Sequence, residues 1–267
     1  MHRRTHRRAF TLVESAAVIA SLTLILFMAG LGHSTQNPRD RTRLCATRLN
    51  MIHKGAILFA NDFGGSFPVP TKISAETAAA NAQSGNSSAN FFSCMIFNTY
   101  YSPGVAICPD ESNPNVKEQK EYRYGTGDDP GWKDTWQWDP AFSADITRPG
   151  ANVSYAMLAL VGERVEKEWA DSLNRNFAVF ADRGTRDGAF DAESLTLKRH
   201  GQPMDWTGNV MFNDGHVQAY TFGADDPKAF IVKEDNIFKS DDAEKGADMW
   251  LGVFGPTTEK TATAYWD

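Results

Sequence analysis

Arg7-Arg8-Ala9-Phe10-Thr11-Leu12-Val13-Glu14-Ser15, continued by an apolar run to Leu31, is the stretch on which the reading of the whole chain turns. Arg3, Arg4 and His6 precede it, and no acid occurs before Glu14. A basic start followed by a long apolar run is how an export signal or a first membrane span begins. Phe10 to Leu31 has about the length a helix needs to cross a bilayer at roughly 1.5 Å per residue. Two details set it apart. Glu14 lies inside the apolar run, where a mid-membrane charge costs about 2.5–3.5 kcal/mol and needs a reason. The small residue Ala9 stands before the run, whereas an ordinary secretory signal is cut after it.

Ala9-Phe10-Thr11-Leu12-Val13-Glu14 resembles the G-F-T-L-x-E core of type IV prepilins and type II secretion pseudopilins. The resemblance implies cleavage between Ala9 and Phe10 by a membrane-embedded prepilin peptidase. It also implies N-methylation of Phe10 and an assembly role for Glu14. The family has Gly where this chain has Ala9. The rival reading is a plain signal anchor with a chance Glu. On the prepilin reading residues 1–9 are a basic leader, 10–32 a transmembrane helix, 33–65 an amphipathic stem and 66–267 an extracytoplasmic head. The arginine-rich end stays cytoplasmic, at a bacterial inner membrane. Ser21, Thr23, Gly30 and Gly32 lie among the large apolar residues of the span, and small residues let membrane helices approach closely.

A chain of 267 residues suits one anchor and one sizeable head. Loss of the four leader arginines takes the net charge from −6 to −10. So acidic an exported part argues against nucleic-acid binding.

Asn37-Pro38 ends or kinks the first helix. Cys45, Leu49, Ile52, Ala56, Phe59 and Phe63 then step by 4, 3, 4, 3 and 4, one apolar stripe at helical period. Gly64-Gly65 stops it. Leu44-Cys45…Leu49…Phe59-Ala60-Asn61-Asp62…Phe67-Pro68 partly resembles the post-anchor segment of a large bacterial group of pseudopilin-like proteins. Val105-Ala106-Ile107-Cys108-Pro109-Asp110 resembles that group's V-x-x-C-P-x-D segment, and Asp235-Asn236-Ile237-Phe238 its D-N-I-Y segment.

Thr71 to Asn90 reads as a loop with a short helix over Glu76–Gln83, and Phe91 to Tyr101 as buried. Residues 110–150 form an irregular excursion whose Trp132, Trp136 and Trp138 close a small satellite core or offer a ligand platform. Strands follow at Val153–Leu160 and Asn176–Ala181, the latter ending in a turn at Asp182-Arg183-Gly184. Asn209-Val210-Met211-Phe212 and His216–Phe222 flank Asn213-Asp214-Gly215, a hairpin signal because Gly accepts positive φ. Asp225 to Asp267 reads as a mixed tail. The fold class is α+β: a long N-terminal helix packed on a C-terminal antiparallel sheet, as in pilins.

His200 with Asp214-Gly215 resembles the C-terminal H-x9-DG element of the same group, here with thirteen residues between His200 and Asp214. Asp214 is explained by its turn, His216 by a hairpin edge, and His200 by capping or bridging that loop. Asp182, His200, Asp214 and His216 are metal-ligating types, but structural pinning is the favoured account. Major pseudopilins hold Ca2+ in a C-terminal loop. Ca2+ is therefore the one cofactor the resemblance raises, with Asp225-Asp226 and Asp241-Asp242-Ala243-Glu244 as oxygen donors outside any EF-hand pattern. No nucleophile motif or phosphate-binding glycine loop occurs, so no enzyme is expected.

Cys45, Cys94 and Cys108 allow three pairings in an oxidising compartment. The resemblance-bearing segments imply a Cys45–Cys108 bridge from stem to head, with Cys94 a buried free thiol. The expected function is a structural subunit of a type II secretion pseudopilus or type IV pilus-like filament. Its partners are the prepilin peptidase, other pilins or pseudopilins and the inner membrane. The rival is a single-span envelope protein whose head binds a ligand or partner without polymerising, and a third class is an envelope hydrolase using the His/Asp set.

Overall fold

The computed structural model describes residues 38–73, 85–125, 131, 138–200, 204–240, 248–257 and 261–267. The expected leader and span, with Ala9, Phe10 and Glu14, lie outside the described residues. Among the described residues, no helix is long and apolar enough to cross a membrane.

Helix α1 runs from Pro38 to Asp62. Pro38 occupies its first position, where a missing N–H costs nothing. Cys45, Leu49, Ile52 and Ala56 on its apolar stripe are fully buried, and Phe59 nearly so. Burial of each large side chain contributes about 1.5–3 kcal/mol. Phe63, expected on the same stripe, is 61% exposed. The helix has already ended there: Gly64 and Gly65 take φ of 88° and 95°, and the Gly65 N–H reaches back to the Ala60 carbonyl at 2.7 Å. That six-to-one closure is a glycine C-cap.

A six-stranded antiparallel sheet receives the stripe, in the order β4-β3-β2-β1-β7-β8. Its strands are β1 (Tyr155–Leu158), β2 (Ala178–Asp182), β3 (Trp206–Phe212), β4 (Val217–Phe222), β7 (Leu251–Phe254) and β8 (Ala264–Tyr265). Strands β5 (Ile231–Val232) and β6 (Asp235–Asn236) pair separately. The protein is thus α+β, with α1 lying against β2, β3 and β4. Every residue of β1, β2 and β7 is buried, so both faces of the sheet centre are covered. This explains why these strands read as unbroken apolar runs rather than as alternation.

The expected tail from Asp225 is a misreading: β7 sits inside the sheet, pairing with both β1 and β8. A four-residue strand buried on both faces leaves no period for sequence reading to find. The segment expected as a loop before Asn90 is corrected at both ends. Helix α2 spans Pro70–Ile73, and helix α3, Ser88–Phe97, starts on a Ser87 cap whose side chain accepts from the Asn90 N–H. The suggested helix over Glu76–Gln83 lies outside the described residues. A further short helix, α4, spans Glu163–Lys167.

Phe67, Phe91, Trp169 and Phe180 meet edge-on or tilted, with ring centroids 5.4–5.6 Å apart, and join α3 to β2. Trp169 Nε1 donates to the Pro68 carbonyl at 2.8 Å, so its polar edge is satisfied in the core. From Cys108 to Ser154 the described residues form neither helix nor strand. Side chains hold this excursion instead: Asn113 Nδ2 donates to the Ile146 carbonyl at 3.0 Å, and Asn152 Nδ2 to the Lys117 carbonyl at 2.9 Å. Tyr122, Trp138, Phe142 and Ile146 are buried within it. Trp132 and Trp136 lie outside the described residues.

The β3–β4 hairpin closes on Asn213-Asp214-Gly215, with the Phe212 N–H bonded to the His216 carbonyl at 3.0 Å. Gly215 takes φ of 87°, the left-handed position of a three-residue hairpin loop. Asn213 is fully buried under it and donates to the Glu168 carbonyl and the Ser172 hydroxyl.

Candidate functional site

The residues singled out from the sequence separate into two places. Asp214 and His216 sit at the hairpin tip, half-exposed and bonded to each other. His200 is elsewhere. It neither caps nor bridges the hairpin loop, because its side chain is fully buried against Cys108, Asp110 and Asp182.

Cys45 comes from α1, and Cys108 from the segment after the short 3-10 turn Pro103–Ala106. They form a disulfide with Cα atoms 5.6 Å apart, and Cys94 remains a buried free thiol. Burial pushes that thiol up to about 12, against a hydrogen bond from Asn98. The Arg48 side chain donates to the Ile107 carbonyl, and Ser154 N to the Ala106 carbonyl at 2.9 Å, which fixes the approach to Cys108 from both stem and sheet.

Asp110 gathers three elements. It accepts from Arg41 Nη1 of α1 at 2.7 Å and from the His200 N–H at 2.9 Å, and its own N–H points at Cys108 Sγ, 3.4 Å away. Burial opposes its charge, but Arg41 and the His200 amide outweigh it and hold the carboxyl below its usual range. His200 takes φ of 56°, a strained value for a non-glycine residue. Its Nε2 lies 3.4 Å from Cys108 Sγ and 3.7 Å from Asp182 Oδ1, and its Nδ1 lies 3.2 Å from Asp110 Oδ2.

Asp182 closes β2. Its Oδ2 accepts from the Asn209 N–H and from Asn209 Nδ2, both at 2.8 Å. Asn209 Nδ2 also reaches the Thr42 carbonyl of α1 at 3.0 Å. The other oxygen, Oδ1, is buried without a hydrogen-bond partner. Burial opposes ionisation of Asp182, but His200 and Arg199 keep its carboxyl below the ordinary range.

Beside this centre lies a buried ion network that no motif announced. Arg183 makes a bidentate pair with Glu111 at 3.0 and 3.1 Å and reaches Asp267 at 2.7 Å. Burial opposes the charge of Glu111, yet Arg199 and Arg183, with the Asn113 N–H bonded to Oε1 at 2.8 Å, hold it at about 2. Arg199 is 2% exposed and lies 3.5 Å from Asp182 Oδ1. Burial works against its charge, but Glu111 and Asp182 outweigh it and raise its pKa. The Tyr155 hydroxyl is buried without a partner.

Among the described residues, Cys45, Cys108, Asp182 and His200 form the one group of three or more metal-ligating side chains whose donor atoms converge, all within 4.8 Å of one another. The structure therefore brings Asp182 to His200 and adds the cysteines, while Asp214 and His216 stay out. Asp225 and Asp226 are exposed and join no such group, and Asp241 to Glu244 lie outside the described residues. The convergence was hidden because its members come from four separate segments.

No known family model, curated protein or solved structure matches this chain. What the site does rests on its own chemistry. In the oxidised state it pins α1 to the rest of the fold covalently and through Asp110, Asn209 and Arg48.

Proposed function

We propose that this chain is a prepilin-like structural subunit that is cut before Phe10 and assembles into a type II secretion pseudopilus or type IV pilus-like filament. The supporting observation is the second face of α1. Leu44, Met51 and Leu58 are 37%, 44% and 53% exposed and repeat every seven residues. Each precedes a buried residue of the stripe, so the row stands about 100° or more round the helix from the face on the sheet. One apolar residue per heptad offers a neighbouring helix a single row, half of the two-position seam of a coiled coil. At the end of α1, on the sheet-facing stripe and not on this row, Phe59, Phe63 and Ile73 line a separate open cavity of about 440 Å3. The stem thus has one side for its own head and another for a neighbour, as a filament subunit requires.

The irregular excursion within residues 110 to 150 favours the second reading, a single-span envelope protein that binds a partner without polymerising, because so bulky a head fits poorly in a repeating shaft. A hydrolase built on His200 and Asp182 is disfavoured, since both side chains are buried. Glu14→Ala separates the first two readings. Cleavage after Ala9 should continue, since the peptidase site lies upstream, while incorporation into filaments should be lost. Loss of the Glu14 partner for the freed Phe10 amine of a neighbouring subunit is the cause. N-terminal sequencing and filament fractionation read the two effects. Normal co-assembly of the variant would move the assignment to the non-polymerising protein.

A further inference from the structure

We propose that Cys45 and Cys108, when reduced, form with His200 and Asp182 a tetrahedral site for a divalent transition metal, zinc foremost. The site occupies the junction of stem and head, so the same four side chains hold that junction in two redox states. The inference stands whether or not the chain polymerises.

The geometry is close to what zinc demands. Zinc bonds of about 2.3 Å to sulfur and 2.0–2.2 Å to nitrogen or oxygen place tetrahedral donors roughly 3.3–3.8 Å apart. His200 Nε2 already lies 3.4 Å from Cys108 Sγ and 3.7 Å from Asp182 Oδ1. The two sulfurs must separate, which breaking their bond allows, and the remaining donor pairs, all within 4.8 Å, close on the metal by side-chain rotation.

The surroundings are those of a ligand set. Asp182 Oδ2 is held by both nitrogen groups of Asn209, which leaves Oδ1 facing His200 with no hydrogen-bond partner. Arg199 Nη2 pairs with that oxygen only at 3.5 Å, and a buried carboxylate oxygen without a hydrogen bond is costly and rare. Asp110 Oδ2 stands 3.2 Å from His200 Nδ1, which makes no hydrogen bond in the disulfide-bonded state; a ring rotation that aligned Nδ1–H on Asp110 would complete the carboxylate–histidine arrangement that orients Nε2 toward a metal. Thiolate, imidazole and carboxylate together suit zinc and disfavour calcium or magnesium.

The charges balance in both states. With the disulfide intact, Asp182 faces Arg199. With metal bound, two thiolates and one carboxylate are met by the dication and Arg199. The chemistry between the states is ordinary thiol–disulfide exchange. A dithiol reductant attacks one sulfur, the Cys45–Cys108 bond breaks, and the reductant closes its own disulfide as two electrons pass to the protein sulfurs. The two thiols then lose their protons to solvent as the metal binds.

The test uses the full-length chain in detergent and Co2+ as a spectroscopic probe. The chain is reduced with a dithiol, freed of it under inert gas, and titrated. The expected result is one Co2+ per chain, with a thiolate-to-cobalt charge-transfer band and the intense visible bands of a tetrahedral site. The oxidised chain should show none. Zn2+ should displace the cobalt. His200→Ala should shift the bands and weaken binding, and Asp110→Asn should weaken it about 10-fold or more. Cys45→Ala/Cys108→Ala, which keeps Cys94, should show no charge-transfer band. Circular dichroism follows the fold throughout: a reduced chain that loses structure should regain it on addition of one equivalent of Zn2+. A reduced chain without the band, equal uptake by the oxidised chain, a band in the double-alanine variant, or unfolding that Zn2+ does not reverse would each overturn the proposal.

Discussion

Replacing Cys45 and Cys108 together by alanine opens a loop closed across a sequence separation of 63. Loop-closure entropy for about 63 residues is roughly −14 cal/mol/K, or about 4 kcal/mol at 25 °C. Both sulfurs are buried, and alanine leaves no new polar group there. The lost constraint on the unfolded chain therefore dominates. For a domain of this size each kcal/mol moves the melting temperature by about 2–4 °C, so the double variant should melt roughly 8–16 °C lower. The assay is thermal denaturation followed by circular dichroism, without reductant and with a chelator present. Wild-type protein treated with reductant and chelator should melt close to the variant. A drop of less than about 3 °C would show that the noncovalent contacts of Asp110, Asn209 and Arg48 suffice, and that the bridge is thermodynamically idle.

Gly215→Val should lower stability by about 1–3 kcal/mol, read as a fall in melting temperature, because valine is strained at φ of 87°. Space is not the cause, since the nearest atoms to an added Cβ are in the His53 ring at 3.7 Å; an unchanged melting temperature would remove the turn geometry from the account. His53 gives a pH test. Burial lowers its pKa below the ordinary 6.5, against the pull of Asn213. The unfolded chain then takes up a proton at a higher pH than the folded one, so stability falls as pH drops below 6.5 toward the lower folded value. His53→Gln should flatten that part of the curve, whereas parallel curves for variant and wild type would refute it.

The helix on which the head is built was legible because Cys45 to Phe59 repeat at helical period beside Pro38 and Gly64-Gly65. The hairpin was legible because Asp214-Gly215 stands between strand-forming runs. Phe63 was misassigned because periodicity does not announce that the helix has already ended at Asp62. Strand β7 was invisible because Leu251–Phe254 is short and buried on both sides. The site was half-legible. The cysteines stood in suggestive segments, and their pairing is present. Asp182 read as a turn residue and as one of four possible metal ligands, but it is the last residue of β2, and the pairing of Arg183 with Glu111 carried no local signal at all. Charged residues read as surface by default, and only long-range packing reveals the few that are buried.

The bridge also fixes where a mechanical load would travel. Cys45 lies seven residues into α1, about two turns from Pro38. A pull on the N-terminal end of this helix enters the head through a covalent bond within those two turns. It does not have to be shared along the apolar stripe, so the helix cannot be peeled from the sheet starting at that end. Rupture would have to begin beyond the bridge or in the outer strands of the sheet, so the strength of this tether is set by the sheet and not by the first two turns of the helix.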